Sequence, residues 1–162
     1  MQDDWKVSRG SRHCFECNLE FDGEQTFFSA LREEGPGFVR LDYCPACWER
    51  AAASEFFGFW KTRRQEGGRP PRMDLEVVLD LFDKLKGTEC ADRVEMRFVL
   101  ALYLARRKAL KLMGVQRDGV REELQFKRPR CDELIPVLNP HMDEGQISAA
   151  TERLKELFQA EL

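Results

Sequence analysis

Cys14 and Cys17 form one Cys-x-x-Cys pair, and Cys44 and Cys47 form a second after 26 intervening residues. Four thiols at this spacing fit one chemistry above others: coordination of a zinc ion, which takes four soft ligands converging tetrahedrally on one point. The alternative, four free or redox-active thiols, gives no reason for two pairs at hairpin distance. A zinc ion held by four protein ligands has no open position, so it cannot activate water; it is expected to fold its module rather than to catalyse.

Other catalytic patterns are missing. Zinc deaminases combine His-x-Glu with a later Pro-Cys-x-x-Cys; here His13 and Glu16 are spaced His-x-x-Glu, two extra cysteines occupy the first pair, and Tyr43 stands where the proline should precede Cys44. His13, next to a ligand, could replace one or touch its sulfur, but reads better as an ordinary, partly exposed side chain. His141, between Pro140 and Met142, reads as a loop residue near a helix start. With two histidines there are few candidate general bases near neutral pH, and neither a phosphate-binding glycine loop nor a nucleophile elbow is present. The adjacent carboxylates Glu33 and Glu34, and Glu122 and Glu123, would point to opposite faces of a strand and read as solvated surface. Cys90 and Cys131 read as half-buried hydrophobes. The expectation is a protein that is not an enzyme.

Two knuckles can meet only across a hairpin. Thr26 to Leu31 and Phe38 to Tyr43 are strand-like, and Glu34-Gly35-Pro36-Gly37 supplies the turn. Asn18, after the second cysteine, suits the left-handed conformation that such a knuckle places there. Trp5 to Ser8 alternates as a short edge strand would. After Cys47, the Ala-rich stretch Trp48 to Ser54 predicts a helix, and Phe56 to Trp60 a strand packed on the hairpin; a single helix from Trp48 to Arg63 is the alternative.

This pattern resembles the zinc ribbon, a rubredoxin-like four-cysteine superfamily in which two knuckles clamp one ion beneath a small antiparallel sheet. The resemblance covers about the first 65 residues and implies that Cys14, Cys17, Cys44 and Cys47 are the ligands of one structural zinc ion. Rubredoxins, the iron-binding relatives, usually carry Gly after each second cysteine; Asn18 and Trp48 stand there instead, which speaks against electron transfer. The whole chain also resembles bacterial zinc-ribbon proteins of uncharacterised function, which implies no activity.

Gln65 to Arg72 holds two glycines, two prolines and no apolar residue, and predicts a linker between a zinc-ribbon domain at 1–64 and a second domain at 73–162. In that second part, Asp74 caps a helix with Leu75, Val78, Leu79, Phe82 and Leu85 on one face, ended by Gly87. Ala91 to about Lys108 predicts a helix whose apolar run from Phe98 to Ala105 buries most of its circumference. Leu110 to Val115 and Val120 to Lys127 predict a hairpin turning at Asp118-Gly119, joined by a short strand near Leu134 to Leu138. Asp143 and Gln146 stand in capping-box register before a last helix with Ile147, Ala150, Leu154, Leu157 and Phe158 inward. The fold class is therefore α+β: an N-terminal zinc ribbon and a small helical domain with a β-hairpin.

The chain has 162 residues and a formal charge of -3, so global electrostatics mark neither a nucleic-acid nor a membrane protein. No apolar run approaches the roughly 18 to 20 residues that span a bilayer, and the N-terminus, with Asp3, Asp4 and Trp5, does not read as a signal peptide. Paired cysteines fit a reducing compartment, so a soluble, cytoplasmic protein is expected. Locally, residues 91–131 carry eleven Lys or Arg against five Asp or Glu, whereas 73–90 and 132–162 together carry four against twelve. Arg106, Arg107, Lys108, Lys111, Arg117, Lys127, Arg128 and Arg130 could form a nucleic-acid-contacting face; pairing with acidic neighbours is the preferred reading. Lys6, Arg9, Arg12, Arg40 and Arg50 could relieve the charge of about -2 on a tetrathiolate zinc centre. The function expected is a zinc-binding, non-enzymatic adaptor with a protein partner, and the alternative a nucleic-acid-binding zinc-ribbon factor.

Overall fold

The computed structural model describes residues 11–63 and 72–160. The expected edge strand at 5–8, and residues 65–71 of the expected linker, lie outside them. In chain order come β1 (Thr26–Glu34), β2 (Gly37–Tyr43), α1 (Pro45–Trp48), β3 (Gly58–Arg63), α2 (Leu75–Lys84), α3 (Ala91–Arg106), β4 (Lys111–Asp118), β5 (Arg121–Lys127), β6 (Leu134–Leu138) and α4 (Glu144–Phe158). The strands form two antiparallel three-stranded sheets, ordered β2-β1-β3 and β4-β5-β6, so the class is α+β. No helix among the described residues is long and apolar enough to cross a membrane.

Two compact units divide the chain. One holds the described residues up to Met73 together with those from Arg153 on; the other is Asp74–Glu152. Met73 and the residues from Arg153 on, expected in the second domain at 73–162, group with the first sheet. The reason lies in side chains: the Phe158 ring meets Trp60 edge-on with centroids 5.4 Å apart, and Arg40 donates to the carbonyl of Leu157.

In the first unit, Gly35 takes a φ of +58°, and the turn it makes pairs β1 with β2 so that Ser29 faces Asp42 and Leu31 faces Arg40. β3 lies on the other side of β1, with Trp60 opposite Ser29. Because side chains alternate, Ser29, Leu31, Arg40, Asp42 and Trp60 share one face, and Phe28, Ala30, Leu41 and Tyr43 share the other. The second face joins Cys14, Cys44 and Cys47 in one core, against which Trp48 and Phe56 pack.

The expected helix from Trp48 to Ser54 does not form. The single turn α1 ends at Trp48, and a 3-10 turn covers Ala53–Glu55 before β3 begins at Gly58, two residues later than the expected strand. Packing overrides alanine propensity here. Trp48 stacks on Phe28 at 5.0 Å and on Phe56 at 5.7 Å, and a continuous helix would carry Phe56 onward instead of returning it to Trp48.

In the second unit, the Asp74 carboxylate accepts from the Glu76 N–H at 2.9 Å, capping α2, and Gly87 leaves the helix end with a φ of +75°. Val78, Leu81, Phe82 and Leu85 are buried, while Leu75 and Leu79 are only half-buried. α3 packs on α2 and β6 and is buried on nearly every side between Val94 and Leu104. The hairpin turns one residue later than expected, at Gly119-Val120, with Gly119 at a φ of +60°. A bulge at Met113 shifts the β4 register, and β6 joins β5 as expected. At the start of α4, Gln146 N–H donates to Asp143 at 2.7 Å and Asp143 N–H donates to Gln146 at 2.9 Å, a reciprocal capping box.

Candidate metal centre

The first knuckle is a tight loop closed by its own backbone. Cys14 N–H donates to Leu19 O, Asn18 N–H donates to Cys14 O, and Asn18 takes a φ of +59°, as its type suggested. Phe15 N–H then donates to Asp42 O at 2.7 Å, which straps the knuckle to β2 next to Cys44. The second knuckle is the turn into α1: Pro45 opens it with a fixed φ, and Trp48 N–H returns to Cys44 O.

These two turns bring the sulfurs of Cys14, Cys17, Cys44 and Cys47 within 4.8 Å of one another. Cys17 and Cys44 Sγ are 3.8 Å apart. A tetrahedral zinc with Zn–S bonds of about 2.3 Å has edges of about 3.8 Å, and a disulfide would bring the sulfurs to about 2.05 Å, so the donor set fits a four-coordinate ion. Cys14, Cys44 and Cys47 are buried and Cys17 is exposed, so the site opens to solvent on one side only.

Two N–H donors already meet these sulfurs. Cys44 N–H points at Cys14 Sγ and Arg50 Nη2 at Cys47 Sγ, each at 3.3 Å. Burial raises the Cys14 thiol, but N–H groups of Cys17, Cys44 and Glu16 outweigh it and bring the group down to about 7. Burial pushes Cys47 up to about 12 despite Arg50, because its neighbours in the cluster are themselves thiols. Such opposed tendencies within one cluster are met when a dication binds and all four sulfurs ionise together.

Of the cations expected near this centre, Lys6 and Arg9 lie outside the described residues. Arg50 reaches a sulfur. Arg40 does not: it is buried on the opposite face of the sheet. There its Nε donates to Asp42 Oδ1 at 2.9 Å and its Nη2 to Ser29 Oγ at 2.8 Å, Ser29 donates to the same Asp42 oxygen at 2.6 Å, and the guanidinium lies 5.4 Å from the Trp60 ring centroid. Burial lowers the Arg40 guanidinium and Asp42 raises it. The backbone of His13 forms an isolated antiparallel β-bridge with Glu20, and His13 is not among the clustered donors; His141 sits in a loop at a φ of +56°.

The basic segment divides. Arg117 pairs with Glu122 at 2.6 Å, Lys127 with Asp132 at 3.0 Å, and Arg128 with Asp83. Asn139 and Arg117 together hold the Glu122 carboxyl below its ordinary range. Arg106, Arg107, Lys108, Lys111 and Arg130 are exposed and form no ion pair among the described residues. Two cations are buried that the sequence alone does not mark as such: Arg40, expected beside the metal centre, and Arg97, to which no role was given. The signal for Arg40 was its i, i+2 relation to Asp42 in a strand; for Arg97 it was a charge inside an otherwise apolar helix. Comparison with protein-family models, with curated proteins and with solved structures finds no match to this chain.

Proposed function

We propose that this chain is a zinc-binding, non-enzymatic interaction protein whose ion, held by Cys14, Cys17, Cys44 and Cys47, folds the first unit, and whose partner is a protein. The observation that carries the reading is the closed four-sulfur cluster, which leaves a tetrahedral ion no position for water or substrate. Thiolate ligation of this kind suits a reducing compartment such as the cytoplasm.

What favours a protein partner is β4. It is the outer strand of its sheet, exposed at every residue, and Leu112, Met113 and Val115 are 49, 49 and 48 % exposed beside a backbone edge that pairs with no strand among the described residues. An apolar edge strand is a template for strand addition, and Lys111 and Asp118 place opposite charges at its two ends, which would set the direction of an added strand. Three of the eight basic candidates are meanwhile neutralised within the unit.

The test is capture from extract with and without nuclease, using the full zinc-loaded chain and a Val115→Lys variant, followed by reconstitution with the purified partner. A nuclease-resistant protein lost by the variant and rebound in purified form supports the reading. Capture abolished by nuclease replaces it with the nucleic-acid alternative.

A further inference from the structure

Arg97 projects from α3 within the second unit and is only 7 % exposed. Its Nε donates to Phe82 O at 3.3 Å, its Nη1 to Pro136 O at 2.8 Å, and its guanidinium carbon lies 4.6 Å from the Phe82 ring centroid. These contacts fix the group without neutralising it, since carbonyl dipoles and a ring face carry no net charge. No carboxylate lies within 4.0 Å of it among the described residues, and Nη2 makes no hydrogen bond to them. Burial lowers the guanidinium, and Asp83 and Glu123 support its charge only from a distance. A buried cation without a counter-ion is costly to fold, and its usual resolution is a carboxylate.

A cleft of about 190 Å³ opens at this point between the Leu85 to Thr88 turn and strands β5 and β6. Arg97 lines it together with apolar Val94, Pro136 and Leu138, and with half-buried Thr88 and exposed Lys86 and Arg121. Glu123 also lines it, but its carboxylate is taken by Arg121 at 3.0 Å. The volume is below the roughly 300 to 1,000 Å³ of pockets that hold drug-sized molecules.

We propose that this cleft binds a small organic monocarboxylate, its hydrocarbon body against Val94, Pro136 and Leu138 and its carboxylate on Arg97. The apolar wall selects against inorganic anions, which have no surface to bury there, and the buried guanidinium selects against neutral molecules of the same shape. One open guanidinium nitrogen suits a single carboxylate better than a polyphosphate, which needs several convergent donors.

The test is a titration of the full zinc-loaded chain, followed by amide chemical shifts, with benzoate, its neutral counterpart benzyl alcohol, and inorganic phosphate. Benzoate should give saturable shifts confined to residues around Thr88, Arg97 and Val137, in the high-micromolar to millimolar range expected of so small a ligand. In Arg97→Met, which keeps the apolar volume, benzoate should bind at least about tenfold more weakly, the loss of one charge-assisted contact. Absence of a saturable response to benzoate, or equal responses to benzoate and either control, overturns the proposal. That comparison uses the unaltered chain and does not depend on the variant folding. Neither does it depend on the partner: a failed capture experiment leaves the cleft untouched, and a failed titration leaves the interaction reading untouched.

Discussion

Arg40 donates from Nη1 to the backbone carbonyl of Leu157 at 3.2 Å, across a sequence separation of 117. Through this bond and the Trp60–Phe158 ring contact, the end of α4 covers the sheet face opposite the four cysteines. The sheet of the first unit is therefore held on both faces. One face is organised by the knuckles, and the other by the buried group of Ser29, Arg40 and Asp42.

The buried pair should be costly to break and cheap to replace. Arg40 and Asp42 side chains are 1 and 0 % exposed, so Arg40→Ala leaves a buried carboxylate unpaired and should destabilise the zinc-loaded protein by about 3 to 5 kcal/mol. Arg40→Met combined with Asp42→Leu removes both charges and should be far milder, neutral or even stabilising. Denaturant titration at fixed free zinc checks both; equal losses in the two variants would show that packing, not charge, dominates.

Purified protein should hold one zinc per chain by elemental analysis. Cys14→Ser or Cys44→Ser should unfold the first unit, whose core is built on the cysteines themselves. Affinity should fall as pH is lowered, because protons compete for sulfurs that must be ionised to bind metal. A metal content well below one per chain would reject the assignment.

Chelation should open amides of β1, β2 and β3, and those of α4 from Arg153 on, while α2 and α3 keep their hydrogen-exchange protection. Loss of protection in α3 at the same chelator concentration would mean that the two units unfold together.

For the basic segment, weak and shallow salt dependence of nucleic-acid binding is expected, because Arg117, Lys127 and Arg128 are already paired. Replacing these three with Gln should cost roughly 0 to 1 kcal/mol of stability per exposed pair. A tight complex whose salt slope falls on replacing Arg106, Arg107 and Lys108 would favour the alternative function instead.

Asp143→Ala should destabilise the start of α4 by about 1 kcal/mol, since it removes the acceptor for Gln146 N–H. Helical content measured by circular dichroism against temperature reads this directly.

Much of this molecule is local, and what is local was legible. Two Cys-x-x-Cys turns at hairpin spacing specify their own convergence, because the strands between them have only one short turn in which to reverse. Asn18, Gly35, Asp74, Gly87 and the Asp143 and Gln146 pair each act within a few residues, so type and position were enough to assign them. The long apolar run of α3 announced its burial for the same reason. What required the tertiary structure was every property set by a partner distant in sequence. Trp48 and Phe56 meet over Tyr43 and break the helix that alanine propensity favours. Arg40, which could have served the zinc charge, turns to the other face because strand alternation places it beside Asp42 and under Leu157. Arg97 owes its isolation to Phe82 and Pro136, which offer it carbonyls but no carboxylate. A sequence fixes which residues carry charge; burial and the choice of counter-charge are decided only when the chain has closed on itself.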